Sequence, residues 1–121
     1  MPKRILVVDN NALIRRRLCR LLEIQKDYDL CAQAGNGEEA IALAIQHKPD
    51  LIVLDFQMPV MNGIDAAYEL KRIMPTVPII LFTQHEDMVK YVLGRNSPID
   101  LVVPKSDAFH ILEHIRSLIP V

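Results

Sequence analysis

The stretch Leu51-Ile52-Val53-Leu54-Asp55 places a carboxylate directly after four consecutive apolar residues. Four other short apolar runs occur in the chain, at residues 5–8, 30–32, 79–82 and 101–103. Continuous apolar runs of this length are typical of strands that are covered on both faces, as in a parallel sheet. The run at 30–32 is weaker and has polar borders, which predicts an edge strand.

Helical periodicity fills the segments between these runs. The predicted helices begin, in chain order, after Asn11, after 35–37, at Asn62-Gly63, near Glu86 and after Asp107. Asn11 and Asp107 are the predicted N-caps of the first and last helices, and the fourth helix is predicted over 86–93. The apolar faces of the second and last helices are predicted to comprise Ala40, Ile41, Ala44 and Ile45, and Phe109, Leu112, Ile115 and Leu118, respectively.

Strand and helix alternate five times, and this order predicts an α/β fold. The expected architecture is a flavodoxin-like, doubly wound, five-stranded parallel sheet in the order 2-1-3-4-5, with helices on both faces. In such folds the ligand site lies beyond the carboxyl ends of the strands, where the winding direction switches. The residues that follow the apolar runs are therefore the candidate site.

Composition restricts the class of protein without identifying its chemistry. The chain has 121 residues, which predicts a single domain over 1–121, and its formal net charge is -1. This balance argues against a dedicated nucleic-acid or membrane surface, because both need a basic excess. The two cysteines, Cys19 and Cys31, fit no metal-ligand spacing. We therefore expect reduced thiols and a cytoplasmic protein that binds neither membrane nor nucleic acid directly.

Polar side chains stand at four of the predicted strand ends. Asp9-Asn10-Asn11 follows the first strand, Asp55 ends the third, Thr83 the fourth and Pro104-Lys105 the fifth. Two carboxylates in one small cleft would repel each other unless a cation lay between them. Oxygen ligands at a site that handles phosphate favour Mg²⁺. A carboxylate beside a divalent cation and a lysine is suited to attack phosphorus and form an aspartyl phosphate.

These residues resemble the receiver domain of two-component response regulators over the whole chain. The most specific part is the segment 51–63, LIVLDFQMPVMNG, and further matches are the acidic end of the first strand, Phe82-Thr83 and Val103-Pro104-Lys105. The resemblance implies that Asp55 is the phosphoacceptor, that Lys105 pairs with the phosphoryl group and that Thr83 hydrogen bonds to it. It also implies Mg²⁺ held by Asp9, Asn10, Asp55 and the backbone carbonyl of Gln57.

The resemblance implies further properties of the whole protein. The phosphoryl donor would be a sensor histidine kinase or a phosphotransfer protein, and phosphorylation is expected to promote homodimer formation. Such a chain takes part in its own phosphorylation and autodephosphorylation but is not a conventional enzyme. The segment 35–40 and Lys105-Ser106 look most like receivers attached to helix-turn-helix DNA-binding domains, so transcription regulation through a domain beyond this chain is expected.

The chain departs from the family pattern at four places. Asn10 stands where a second acidic residue is usual, Val102 replaces an aromatic residue, Gln84 replaces a small one, and the proline precedes Lys105 instead of following it. The first three departures favour a rival hypothesis, in which the chain is an interaction module that works without phosphorylation. Retention of Asp55, Thr83 and Lys105 disfavours this rival. Gln57 and His85 match variable positions that tune phosphoryl lifetime, although they are equally well read as exposed loop residues.

Other signals in the sequence compete with the receiver interpretation. The string His110-Ile111-Leu112-Glu113-His114 matches a metalloprotease pattern, but zinc catalysis would need a third protein ligand. The cluster Arg15-Arg16-Arg17 with Arg20 is read as a solvated helix face, with a kinase-docking surface as the alternative. A flavin protein would need a phosphate loop after the first strand, and an aspartate-nucleophile phosphatase would need a D-x-D pair there. Asp9-Asn10-Asn11 supplies neither.

Overall fold

Five parallel strands form one sheet in the computed structural model, which describes residues 2–85, 87 and 97–120. The strands are β1 (Lys3–Val8), β2 (Tyr28–Ala34), β3 (Leu51–Asp55), β4 (Ile79–Thr83) and β5 (Leu101–Pro104). Their order in the sheet is β2-β1-β3-β4-β5. This order confirms the predicted topology, including the edge position of the second strand.

Helices follow the strands as the periodicity predicts. They are α1 (Ala12–Glu23), α2 (Gly37–His47), α3 (Gly63–Ile73) and, after a 3-10 helix at Lys105–His110, α4 (Ile111–Leu118). The helix predicted over 86–93 lies outside the described residues except for position 87. Within the part of the chain that the structure describes, none of the helices has the length and apolarity to span a membrane.

The continuous apolar runs form strands because both faces of the sheet are covered. Ile5 and Val7 of β1 belong to a core cluster beneath α1 and α4, and Leu6 and Val8 belong to the opposite cluster beneath α2 and α3. All four are at most 1% exposed. Successive side chains of a strand therefore point alternately into the two cores. For this reason every position of the run is apolar.

Asparagine caps fix where three helices begin. The Oδ1 atom of Asn11 accepts hydrogen bonds from the backbone N–H groups of Leu13 and Ile14, at 3.0 and 3.2 Å. Asn36 and Asn62 cap α2 and α3 in the same way. Each cap of this kind contributes about 1 kcal/mol, and together they hold the helix starts against the carboxyl edge of the sheet.

The last helix differs from its prediction. Asp107 is not an N-cap, because it lies inside the 3-10 helix with φ -101° and ψ 24°. Phe109 is 92% exposed and takes no part in the apolar face, while Ile111 is buried in its place. A 3-10 turn has three residues per turn, so the phase of the α-helix does not extend back to Phe109. Ile45 of α2 is also exposed, contrary to its predicted burial.

Candidate functional site

The register of β1 and β3 places two carboxylates side by side. Val8 pairs with Leu54, so the next residues, Asp9 just after β1 and Asp55 at the end of β3, are neighbours at the carboxyl edge of the sheet. Both are buried, with Asp9 1% and Asp55 3% exposed. Burial of two neighbouring carboxylates is unfavourable unless positive charge compensates them.

Lys105 supplies one positive charge to this pair. Its Nζ atom lies 3.0 Å from Oδ2 of Asp9 and 3.2 Å from Oδ1 of Asp55. Lys105 directly follows β5, and its Nζ atom also lies 6.0 Å from the centroid of the Phe82 ring. One ammonium between two carboxylates leaves a net negative charge in the cluster.

Asp9 is held rigidly, yet one of its oxygens is left without a hydrogen bond. The backbone N–H of Asn11 donates to Oδ1 at 2.8 Å, and the backbone N–H of Asp9 donates to the carbonyl of Ala34 at 3.0 Å. Oδ2 is buried and accepts no hydrogen bond from any residue that the structure describes. Its contact with Lys105 is an ion pair without hydrogen-bond alignment. This oxygen therefore has unused acceptor capacity, which a cation can fill.

The electrostatics of Asp55 reflect the same excess of negative charge. The pKa of Asp55 is raised to about 6, first because burial penalises the carboxylate and second because Asp9 repels it. Lys105 opposes both effects but does not cancel them. A divalent cation would remove this penalty, because it would favour the charged form of both carboxylates.

A small cleft of about 130 Å³ lies at this edge of the sheet, and Asp55 and Lys105 line it together with further predicted site residues. Its lining comprises Asn10, Asn11, Ile14, Asp55, Gln57, Gln84, His85 and Lys105. The structure therefore brings Asn10, Gln57 and His85 to the same cleft as Asp55, as the sequence predicts. Among the described residues, no three His, Cys, Asp or Glu side chains converge as ligands of one metal ion.

The donor set at this edge fits Mg²⁺. Mg²⁺ typically takes one or two carboxylates, fills its other positions with neutral oxygens and keeps several waters. Asp9 and Asp55 provide two buried carboxylates, and Asn10 and Gln57, which carry amide and backbone oxygens, line the cleft that contains Asp55. The Oδ2 atom of Asp9, which is buried without a hydrogen bond from any described residue, is the structural observation that supports the fit.

Thr83 ends β4 beside these groups and is 1% exposed. Its Oγ1 atom accepts a hydrogen bond from the backbone N–H of His85 at 3.0 Å. That bond uses a lone pair and leaves the hydroxyl proton available for a second partner. Thr83 also pairs in register with Pro104, so the hydroxyl and Lys105 follow adjacent strands.

The loop after Asp55 depends on close packing at two glycines. The backbone N–H of Gly63 donates to the carbonyl of Phe56 at 2.7 Å, and a Cβ atom at Gly63 would overlap the carbonyl oxygen of Asp55. A Cβ atom at Gly37 would lie 2.9 Å from the backbone oxygen of Met61. Sequence reasoning identified both glycines only as helix starts, because their contacts are with residues from another element or an adjoining loop.

His110 and His114, which the metalloprotease pattern singles out, both face Asp107. Nδ1 of His110 lies 2.5 Å from Oδ1 of Asp107, and Nε2 of His114 lies 2.9 Å from Oδ2. Asp107 uses both of its carboxylate oxygens on the two imidazoles, and among the described residues these three side chains do not converge as ligands of one metal ion. The cluster joins the 3-10 helix to α4.

Comparison with known proteins gives a consistent picture. The sequence pattern of the response regulator receiver domain matches residues 5–116. The transcriptional regulatory protein PdtaR of Mycobacterium tuberculosis is 41% identical over 108 residues, which cover 88% of this chain and 52% of PdtaR. A protein-glutamate methylesterase/protein-glutamine glutaminase of Hahella chejuensis is 43% identical over 83 residues, which cover 69% of this chain and 21% of that protein.

A solved structure extends the similarity to the fold. The response regulator domain of Thermotoga maritima CheB superposes with a TM-score of 0.86 at 27% identity, covering 100% of this chain and 98% of that domain. The chain thus spans about half the length of PdtaR and about a fifth of the Hahella protein.

Proposed function

Because this chain belongs to the response regulator receiver domain family of two-component systems, we propose that it accepts a phosphoryl group on Asp55 and acts as a switch. The observation that carries the proposal is the contact of Lys105 with two buried carboxylates, 3.0 Å from Asp9 and 3.2 Å from Asp55. A buried, negatively charged cluster with one lysine has little value for stability alone, since burying charge is costly. It has a clear use in binding a cation and receiving phosphate.

The chemistry assigned to Asp55 is nucleophilic attack on phosphorus. One carboxylate oxygen forms the new P–O bond while the P–N bond of a phosphohistidine donor breaks, and the departing imidazole nitrogen keeps the bonding electron pair. Asp55 must be ionised to attack, and a pKa of about 6 leaves it mostly ionised at neutral pH. The ammonium of Lys105 and the hydroxyl of Thr83 then donate hydrogen bonds to the phosphoryl oxygens.

Asp9, Asn10, Asp55 and the backbone carbonyl of Gln57 are the proposed Mg²⁺ ligands. When bound, the ion supplies neutralisation of the charge on the transferring phosphoryl group. Asp9 contributes a carboxylate that is already fixed through Oδ1, so little side-chain freedom is lost on binding.

We propose that the phosphoryl donor, a sensor histidine kinase or phosphotransfer protein, docks beside α1. A groove of about 550 Å³ lies there, lined by Arg17, Arg20, Leu21, Ile24, Lys105, Ser106, Ala108 and Phe109. Phe109 is 92% and Ile24 73% exposed, and large exposed apolar side chains next to arginines are typical of protein-binding surfaces. Lys105 lines both this groove and the cleft of Asp55, which brings a docked partner close to the acceptor.

The output of the switch is proposed from the relatives. PdtaR is named a transcriptional regulatory protein, and the present chain spans only about half of it. We propose that this receiver likewise serves a cytoplasmic regulator of transcription, with phosphorylation promoting a homodimer and with DNA binding placed outside the present chain.

The direct test is reaction of the protein with a small phosphodonor, such as acetyl phosphate, in the presence of Mg²⁺. Intact-mass measurement is expected to show a gain of about 80 Da that disappears in Asp55→Asn. Asp29→Asn, which changes an exposed aspartate on β2, is the matched control and should retain the gain. No gain in the native protein, or a gain that survives Asp55→Asn, would contradict the proposal.

The same experiment decides the rival function, a phosphorylation-independent interaction module. Asn10 lines the cleft where the family usually has a second acidic residue, so the cleft has one carboxylate fewer. Gln84, which replaces a small residue, also lines the cleft. Val102 packs as a half-buried aliphatic side chain beside Ile64 and Leu81, without the aromatic ring that many receivers rotate on activation. The rival predicts unchanged mass and partner binding that does not depend on Asp55.

A further inference from the structure

Arg15 is unlike the other arginines of α1. It is half-buried, whereas Arg16 and Arg17 are exposed. Its Nη1 atom donates a hydrogen bond to the backbone carbonyl oxygen of Asp9 at 2.6 Å. The side chain thus turns back from the first turns of α1 to the end of β1, and it does not join the basic surface formed by its neighbours.

The surroundings of Arg15 connect three parts of the site. A Cβ atom at Gly35 would lie 3.7 Å from Nη1 of Arg15, so the guanidinium rests against the turn between β2 and α2. The backbone N–H of Arg15 donates to the carbonyl of Asn11 at 2.9 Å, which anchors it in α1. Arg15 therefore links the end of β1 to the start of α1 and to the β2–α2 turn.

The hydrogen bond from Arg15 holds the backbone of Asp9, whose carboxylate is a proposed ligand of the cation. Asp9 has its N–H bound to Ala34, its Oδ1 bound to Asn11 and its carbonyl oxygen bound to Arg15. These three bonds hold the peptide and the side chain, while Oδ2 has the ion pair with Lys105 and accepts no hydrogen bond from any described residue. Removing the Arg15 bond frees the carbonyl and allows the peptide after Asp9 to rotate.

We propose that Arg15 is a positioning residue for the divalent cation, acting through the backbone of Asp9 rather than touching the ion or the phosphoryl group. This inference rests on the proposed function and adds a residue to it. Groups that orient metal ligands commonly change metal affinity by about 10-fold or more when they are removed.

A purely electrostatic role predicts the opposite sign. Arg15 carries a positive charge near the proposed cation, so removing that charge would tighten Mg²⁺ binding if charge were all that mattered. Loss of positioning instead weakens it. The direction of the change in affinity therefore separates the two explanations.

The experiment is calorimetric titration of the full chain with MgCl₂ at constant ionic strength. Arg15→Met is expected to weaken Mg²⁺ binding about 10-fold. Arg15→Lys, which keeps the charge and one donor, should fall between Arg15→Met and the native protein. Arg16→Met is the matched control, since it removes the same charge from the next, exposed position and should change the affinity less than about twofold.

Phosphorylation kinetics supply a second readout that a merely structural role would not move. Arg15→Met should need more Mg²⁺ for half-maximal phosphorylation by acetyl phosphate, yet approach the native rate when Mg²⁺ is saturating. Urea unfolding measures any loss of stability, and Arg15→Lys keeps the test informative if Arg15→Met folds poorly.

Equal or tighter Mg²⁺ binding by Arg15→Met would overturn the positioning role of Arg15 but not the proposed function. Absence of Mg²⁺ binding by the native protein would overturn the proposed metal site as well.

Discussion

The partly exposed Lys105 and the buried Asp55 form an ion pair, with 3.2 Å between Nζ and Oδ1, that does not hold the pKa of the carboxyl at its usual value. The pKa of Asp55 is raised to about 6, because burial and the charge of Asp9 together outweigh the lysine. The pair is shared, since the same Nζ lies 3.0 Å from Asp9. Without a divalent cation, the ionised form of Asp55 therefore destabilises the folded state at neutral pH.

This destabilisation predicts that Asp55→Asn stabilises the protein when divalent cations are chelated with EDTA. The folded state holds the Asp55 proton more tightly than the unfolded chain does, so stability falls as pH rises from about 4 through about 6. Removing the charge should raise the free energy of unfolding at pH 8 by about 1–3 kcal/mol, with the gain shrinking toward pH 4. Urea unfolding across this range measures it. Asp29→Asn is the control, and a gain that is absent at pH 8 would contradict the prediction.

A second prediction concerns the missing acidic residue at position 10. Asn10→Asp adds a carboxylate to the cleft that contains Asp55, and an additional unit charge should tighten Mg²⁺ binding by about 10-fold. Calorimetric titration at constant ionic strength measures the change. Asn11→Asp is the control, because Oδ1 of Asn11 already caps α1 and is not free for a cation. Native binding as tight as that of Asn10→Asp would show that Asn10 does not limit the site.

Much of this site was predictable because local pattern and topology agree. The apolar runs end in Asp9, Asp55 and Thr83, and parallel pairing in the predicted order brings those ends together. The position of Lys105 followed from the same rule. The periodicity of the strands and the switch in winding direction together place these residues at one edge of the sheet.

The parts that sequence reasoning missed depend on contacts between elements. A run of three arginines does not reveal that Arg15 alone turns back to a strand end, because its partner is a backbone carbonyl. The exposure of Phe109 was missed for a different reason. Helical periodicity assumes one pitch, and the 3-10 turn before α4 changes the phase at that residue.

A third prediction tests the close approach of α3 to Asp55. A Cβ atom at Gly63 would overlap the carbonyl oxygen of Asp55 and lie 2.9 Å from Cα of Phe56, and backbone atoms cannot move aside cheaply. Gly63→Ala should therefore lower the free energy of unfolding by about 3 kcal/mol or more. Gly35→Ala is the matched control, because a Cβ atom there meets only an ordinary contact at 3.7 Å. Equal effects of the two substitutions in urea unfolding would refute the steric argument.

A fourth prediction concerns Val60, which lies in the loop after Asp55 with φ 71° and is 76% exposed. The N–H of Met61 donates to the carbonyl of Pro59 at 2.8 Å, so Val60 is the centre of a strained γ-turn. A β-branched residue is poorly suited to positive φ, whereas asparagine tolerates it. Val60→Asn should raise the free energy of unfolding by about 1 kcal/mol.

The control for Val60 is Ile24→Asn, an exposed β-branched residue with φ -79°. It has no strain to release, so its substitution should give no gain. If both variants, or neither, were more stable than the native protein in urea unfolding, strain at Val60 would not be the cause.

The last prediction concerns the cluster in which Asp107 bonds to His110 and His114. The hydrogen bond to Asp107 and the charge of Asp107 raise the pKa of His110, and the hydrogen bonds from His114 and His110 lower the pKa of Asp107. The stabilisation from His110 is fully present below its unfolded pKa and is lost as pH rises through the raised value. The stabilisation from Asp107 is lost as pH falls through its lowered pKa.

Asp107→Asn should therefore lower the free energy of unfolding more at about pH 5.5 than at about pH 8.5. Urea unfolding at the two pH values tests this, with Asp29→Asn as the control. A cost that is the same at both pH values would mean that the charge of His110 does not contribute and that the cluster acts through hydrogen bonds alone.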